Sequence, residues 1–342
     1  MIGTIIFAVL MFSLIIFVHE FGHFVSARLF KIKVHEFAVG MGPAIFSKQK
    51  GETKYSIRMI PMGGFCSMEG EDCSSDDEGS FSSKSWYAKL IVLASGAGMN
   101  IILGFLICLL FTAISSENIA TVTVDSVIEQ SNAVGFLEEG DRIVSINGEK
   151  INIKRDIDFA MQQNGNQECK IVIERNGKKI EKNILPYETA YTDGTPAYII
   201  GFIPKLEKAN FFNVTREAFF QTIWMGKLVF VSLGMLISGQ AGMNDVSGPI
   251  GVVDAMNTTA QTGGFVALLY LAGFISVNIG LMNLLPIPAL DGGRIFFVLI
   301  EAIRRKPIPP EKEGIVHFIG LILLVGVMVF ATWNDILRLI KT

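Results

Sequence analysis

The sequence predicts a multi-pass α-helical membrane protein of about four transmembrane helices. A β-hairpin lies between the first two, and an extracytoplasmic α+β module is inserted between the second and third. Three observations predict this. Half of the 342 residues are hydrophobic and only 18% are charged, which with a mean hydropathy of +0.46 is too apolar for a soluble chain. Runs 1–18, 90–116, 255–290 and 315–334 contain no Asp, Glu, Lys or Arg, and each meets or approaches the roughly 20 residues that cross a bilayer. Between 118 and 187 the composition changes to that of a water-soluble domain. A net charge of −3, with no basic cluster interleaved with aromatics, excludes nucleic acid as a partner.

The first span starts at the N-terminus and runs toward Arg28. It lacks the basic start and small-residue cleavage pattern of a signal peptide, so it is expected to be retained. Residues 24–89 carry nine Lys or Arg, several of them close to the flanking spans, which puts the segment on the cytoplasmic side and both termini outside. Within that segment 34–46 and 55–60 alternate like strands around Lys50-Gly51-Glu52, and Pro61-Met62-Gly63-Gly64 reads as a breaker. The acidic, Ser/Gly-rich stretch 69–83 reads as a mobile solvated loop. The second span, from Leu90 to about Ile114, contains Ala94-Ser95-Gly96-Ala97-Gly98, small enough for another helix to approach closely.

The module follows, with strand-like alternation at 121–124, 142–146, 169–175 and 178–185, a hairpin turn at Asn176-Gly177 and a short helix at 156–163. Residues 217–238 are apolar but carry Lys227 at the centre, where a lysine costs roughly 2.5 kcal/mol or more; they read as an interfacial or re-entrant helix. The third span is about 266–285, followed at once by Arg294, Arg304, Arg305 and Lys306, and the fourth is about 315–333. The expected divisions are 1–117 (first membrane part), 118–187 (module), 188–262 (linker with the 217–238 helix) and 263–342 (second membrane part). The four cysteines, Cys66, Cys73, Cys108 and Cys169, fit neither a disulfide framework nor a zinc knuckle and read as free thiols.

Chemistry enters at His19-Glu20-Phe21-Gly22-His23. On a helix H-E-x-x-H sets two imidazoles one turn apart on one face, able to bind one Zn2+, with Glu20 placed to take a proton from the water such an ion activates. Random placement would produce the pattern about 0.003 times in this composition. A hydrolytic zinc site needs a third protein ligand and an open fourth position. His35 and His317 are candidates, but parity of the spans brings Asp291, in Asn283-Leu-Leu-Pro-Ile-Pro-Ala-Leu-Asp291-Gly292-Gly293, to the same membrane face as His19. Asp291 is the preferred third ligand; its alternative role is an N-cap for the following helix.

These stretches resemble the site-2 protease family of bacterial zinc intramembrane proteases, over nearly the whole chain. The resemblance rests on His19 through Phe24, Val39-Gly40-Met41-Gly42-Pro43, Ile60-Pro61-Met62-Gly63-Gly64-Phe65, Val246-Ser247-Gly248-Pro249-Ile250-Gly251, and Asn283 through Arg294. It implies one zinc per chain on His19, His23 and Asp291, with Glu20 as general base. It further implies a membrane-reentrant hairpin, including Gly63 and Gly64, whose edge meets an unwound substrate, and substrate contacts from Asn283 and Asn100. The chain departs from many members in having Ala97 where they have proline. Residues 118–187, with 133–143 and Ile146-Asn147-Gly148, resemble a PDZ domain, which in this family is thought to filter substrates by ectodomain size.

The function so implied is zinc-dependent cleavage of transmembrane segments in single-pass membrane proteins that another protease has already trimmed, such as anti-sigma factors or remnant signal peptides. The chain would work in the cell membrane, embedded in lipid, with its site toward the cytoplasm. The alternative is a non-enzymatic PDZ-bearing membrane scaffold or a metal transporter, from which Glu20 is the discriminating feature: a carrier needs ligands but no base.

Overall fold

The computed structural model describes residues 2–71, 75, 77–190, 195–242, 246–306 and 308–341; Cys73 lies outside them. The chain folds as two compact units, residues 1–107 with 225–342 and residues 108–224.

The first unit is built on long apolar helices: α1 (Ile2–Leu29), α2 (Trp86–Ser115), α5 (Pro249–Leu284) and α7 (Pro310–Lys341). Small residues set how closely they pack. A Cβ on Gly22 of α1 would run into the Ser95 carbonyl of α2, and one on Gly280 of α5 would come within 2.8 Å of the Ala97 carbonyl. Backbones therefore meet along the predicted 94–98 stretch. Ser26 and Ser95 share a hydrogen bond of 2.7 Å there. α5 joins two helical stretches across Gly264 (φ 64°, ψ −158°), and the second begins where the sequence places the third span. At the N-terminus of α5 the Asp335 carboxylate of α7 accepts the Gly251 N–H at 2.7 Å and the Arg338 guanidinium at 2.8 Å. A Cβ on Gly251 would lie 2.7 Å from Asp335 Oδ1, which accounts for glycine at this position of the Ser-Gly-Pro-Ile-Gly motif.

Five helices among the described residues, not four, are long and apolar enough to cross a membrane. The fifth is α4 (Phe211–Ile237), which starts before the expected 217. Lys227 is its sole charge after Glu217, and a single lysine that can snorkel does not interrupt an otherwise apolar helix.

The hairpin is longer than expected. β1 (Val34–Lys50) and β2 (Thr53–Met68) run through the expected breaker, because each bends at glycines with positive φ, Gly40 (88°) and Gly63 (93°), instead of ending. The register shows the consequence. Phe46 to Gln49 lie opposite Ile57 to Lys54, Phe37 lies beside Tyr55, and Phe37 also lies opposite Cys66. The bent hairpin thus presents four segments in the order 46–49, 54–57, 36–39, 64–67, and the last is an edge. The loop after β2 is also not simply solvated: Ser80 and Phe81 are buried, the Phe81 N–H donates to the Glu69 carbonyl at 2.8 Å, and Lys33 pairs with Asp77.

In the second unit, β3 (Asn118–Val127), β4 (Arg142–Ile146), β5 (Glu149–Lys150), β6 (Cys169–Arg175), β7 (Lys178–Ile184) and β10 (Phe202–Lys208) form one sheet ordered β10-β3-β4-β6-β7 with β5 on β4. β8 (Tyr187–Ala190) forms a separate two-stranded sheet with β9 (Pro196–Ile199). The sheet therefore continues past the expected boundary at 187, since Phe202 lies opposite Val127 and Lys208 opposite Asn118. A strand that pairs with another some eighty residues earlier leaves no local boundary signal. Helix α3 (Lys154–Asn164) covers the sheet with Ile157 and Met161, closing a core that includes Val124, Ile143, Ile146, Ile171 and Ile173. Asp156 caps its N-terminus by accepting the Asn152 N–H at 2.8 Å. Cys169 is buried in this core and Cys66 and Cys108 are buried elsewhere, none of the three in a disulfide.

Candidate metal centre

Helical geometry alone brings His19 and His23 together, one turn apart near the end of α1; their Nε2 atoms are 3.2 Å apart. The third group comes from the other end of the chain. α5 ends at Leu284, and the loop through Pro286 and Pro288 turns tightly, with the Ile287 N–H donating to the Leu285 carbonyl at 2.6 Å. α6 (Asp291–Arg304) then begins on Asp291 itself. A Cβ on Gly293 would lie 2.6 Å from the Ile287 carbonyl oxygen, and one on Gly292 would overlap the Leu285 carbonyl. The two glycines thus let α6 start directly against the loop. Asp291 Oδ2 consequently lies 3.0 Å from His19 Nε2 and 3.4 Å from His23 Nε2.

Both imidazoles are held from behind. His23 Nδ1 lies 2.8 Å from the Val92 carbonyl, so it is the protonated nitrogen and leaves the Nε2 lone pair facing Asp291 and His19. Asn100, expected on the substrate, is fully buried, and its amide lies 3.3 Å from His19 Nδ1. The amide nitrogen faces the ring, and Oδ1 has no partner. With the amide oxygen on the ring side instead, His19 Nδ1–H donates to Asn100 Oδ1 and Nε2 is again the free lone pair. Glycine supplies the remaining clearance: a Cβ on Gly96 would overlap His23 Nε2.

Glu20 shares a cavity of ≈ 400 Å3 with His19, His23 and Asp291, walled by Phe65 to Met68 of β2 and by Glu71 and Arg294. The Cys66 backbone N–H, in the 64–67 edge segment, is turned toward the Glu20 carboxylate. Gly64 permits that approach, since a Cβ there would lie 3.3 Å from Glu20 Cγ and 2.9 Å from the Ala38 carbonyl. Gly63 is a bend whose Cβ would meet the Met41 side chain, away from the cavity lining. Asn283 is half-buried in the last turn of α5 and is likewise not among the cavity-lining residues. The sequence reading missed two participants, the Cys66 N–H and the Glu71–Arg294 ion pair, and weighed His317 only as a third ligand, whereas its Nδ1 accepts the Ala289 N–H at 2.9 Å. His317 had a signal, being an ionisable residue within a charge-free span.

Two imidazole nitrogens and a carboxylate oxygen fit zinc. A tetrahedral zinc with ligands at about 2.0–2.1 Å holds its donor atoms about 3.3 Å apart, and the three separations here are 3.0, 3.2 and 3.4 Å. Asp291 Oδ2 is buried without a hydrogen-bond donor, as expected of an oxygen awaiting a cation. Among the described residues this is the one cluster of three such donors. A metal cradle inside a helical membrane unit, with a carboxylate beside it and a strand edge alongside, is the layout of an intramembrane metalloprotease.

Comparison with known proteins agrees. Residues 7–327 match peptidase family M50. Zinc metalloprotease RasP of Bacillus licheniformis is 31% identical over 98% of this chain and 99% of its own. Regulator of sigma-W protease RasP of Bacillus subtilis is 31% identical over 99% of both chains. A Clostridium acetobutylicum protein, whose name assigns it provisionally to the zinc metalloproteases, is 37% identical over 97% of both. The PDZ domain of an SdrC-like protein from Listeria monocytogenes is 28% identical, covering 25% of this chain and 87% of its own at a TM-score of 0.21. The chain belongs to peptidase family M50, the site-2 proteases: zinc-dependent endopeptidases that act within membranes.

Proposed function

We propose that His19, His23 and Asp291 hold the zinc and that Glu20 is the general base of peptide-bond hydrolysis within the membrane. The observation that carries this is the convergence of three donor atoms 3.0–3.4 Å apart in one cavity with Glu20. Zinc held there polarises a scissile carbonyl and acidifies water. Glu20 takes the proton of the attacking water and passes it to the leaving amide nitrogen, and the Cys66 N–H keeps its carboxylate aimed into the cavity.

The substrate class follows from the surroundings. A transmembrane helix hides its carbonyls in internal hydrogen bonds, so it has to unwind and pair elsewhere before it can be cut. The 64–67 edge beside Glu20 offers such pairing, with Gly63 shaping the bend and Asn283 contacting the substrate backbone. Single-pass membrane proteins with weak helices near the cut, trimmed beforehand by another protease, are the substrates. The name of the Bacillus subtilis relative, a regulator of sigma-W, supports anti-sigma factors among them.

The site faces the cytoplasm, the 118–208 module lies outside as a PDZ-like size filter, and both termini are outside. Helix α4 stays interfacial or re-entrant. Parity supports this: with α1, α2, α5 and α7 as the crossings, Asp291 emerges on the face of His19, in keeping with their 3.0 Å separation.

The test is cleavage of a tagged single-pass reporter by purified protein, beside Glu20→Gln, with bound zinc measured in both. Wild-type cleavage and a Gln variant that keeps zinc but does not cut is the expected outcome. A cutting Glu20→Gln variant would remove Glu20 as the base.

A further inference from the structure

α7 is mostly an outward-facing apolar helix. Ile315, Phe318, Ile319, Leu321, Ile322 and Leu323 are all exposed, as suits a lipid-facing span. His317 interrupts this pattern with a side chain only 16% exposed, on the one face of α7 turned toward the loop that precedes Asp291. There its Nδ1 accepts the Ala289 N–H at 2.9 Å. One turn on, Gly320 is pressed against Pro288, where a Cβ would lie 2.7 Å from the Pro288 carbonyl oxygen. From the other side Phe297 of α6 packs on the His317 ring, centroids 5.7 Å apart.

Ala289 needs this support. Its φ of 74° is one that L residues adopt reluctantly, and the preceding prolines have no N–H with which to brace the turn. Accepting at Nδ1 leaves the proton on Nε2, which lies 3.6 Å from Glu313 Oε1 one turn earlier.

We propose that His317 is a positioning residue for Asp291: by holding the Ala289 N–H it sets where α6 begins, and hence how closely the Asp291 carboxylate approaches His19 and His23. This rests on the reading of Asp291 as a zinc ligand. The role is specific to one ring nitrogen. The amide oxygen of Asn reaches roughly where Nδ1 stands, whereas that of Gln reaches where Nε2 stands.

The test uses the full-length protein purified in detergent, with variants His317→Asn, His317→Gln, His317→Leu and Asp291→Asn. Zinc release into a chelator, kcat and KM on a single-pass reporter, and hydrogen exchange across 286–291 in the metal-free protein are measured. His317→Leu and His317→Gln are expected to release zinc at least tenfold faster, to lose at least tenfold in kcat with KM within twofold, and to exchange faster at 286–291; His317→Asn stays within about threefold of wild type. Retention of zinc and kcat by His317→Leu overturns the inference. If the Leu variant does not fold, Asn and Gln decide, and equal zinc release from those two overturns it. Zinc lost from Asp291→Asn but held by His317→Leu overturns this inference alone, whereas zinc held by Asp291→Asn overturns the ligand reading and this inference with it.

Discussion

Gly96 lies directly beneath His23: a Cβ on Gly96 would overlap His23 Nε2 and come within 2.9 Å of His19 Cε1. The middle of the small-residue stretch in α2 is thus the floor on which both imidazoles rest. Two residues on, Gly98 has nothing within 4 Å of where its Cβ would be.

The contrast yields a paired prediction. In a helix interior, Gly→Ala is ordinarily stabilising by about 1 kcal/mol. Gly98→Ala should follow that rule and keep its zinc, while Gly96→Ala should tilt the imidazoles and weaken zinc binding by about tenfold or more. Chelator competition on the two variants checks this, and equal zinc affinities would count against the floor.

Asn100 should act through His19 and not on substrate. Asn100→Leu removes the acceptor for His19 Nδ1–H and is expected to cost about 10–100-fold in zinc affinity, with Asn100→Asp restoring most of it. A rise in KM alone, with zinc affinity unchanged, would return Asn100 to substrate binding.

The Glu71–Arg294 pair joins the loop after β2 to the first turn of α6, and both residues wall the cavity. Neutralising either residue should cost about 1–2 kcal/mol in kcat/KM, roughly five- to thirtyfold. The exchanged double variant, Glu71→Arg with Arg294→Glu, should recover part of the loss. A double-mutant cycle with no coupling would show the pair to be incidental.

In the module, Asp141 is buried and its carboxylate takes two hydrogen bonds from Arg175, both at 2.7 Å, and one from the Glu138 N–H at 2.9 Å. Burial alone would raise its pKa, but the Arg175 guanidinium and the Glu138 N–H outweigh that and hold it below the usual carboxylate value. A carboxylate whose pKa is lower folded than unfolded stabilises the fold fully above its unfolded pKa of about 3.9, and that contribution disappears as pH falls through the folded pKa. Asp141→Asn should therefore destabilise the module by about 2 kcal/mol at neutral pH and flatten its stability below pH 4. Hydrogen exchange of β4 and β6 in the full chain, measured against pH, reads both effects.

How much of this was legible depends on the distance over which each feature is determined. The pairing of His19 with His23 is a property of one helical turn, so it was visible in five letters. Asp291 lies far along the chain and was reachable only because a membrane restricts each span to one of two faces, which turned topology into a parity argument. Asn100 was picked out, but its direction was not, because whether an amide faces a cleft or a histidine depends on how closely two helices approach. β10 was missed because its partner lies some eighty residues back. The hairpin was underestimated because glycines that normally end strands here bend them and let pairing continue.

The amino-acid order by itself determined the apolar spans, Glu20 with its two flanking histidines, and the glycine positions that allow close packing, since each follows from local periodicity, charge and backbone freedom. Tertiary structure decided which of these parts meet: that His23 leans on the Val92 carbonyl, that Asn100 lies against His19, that the Cys66 N–H faces Glu20, and that the Ala289 N–H before Asp291 meets His317 of the last helix. Those relations join segments distant in sequence, three of them at 2.8 to 3.3 Å, and only the packing of small residues, helix against helix, brings such groups within hydrogen-bonding range.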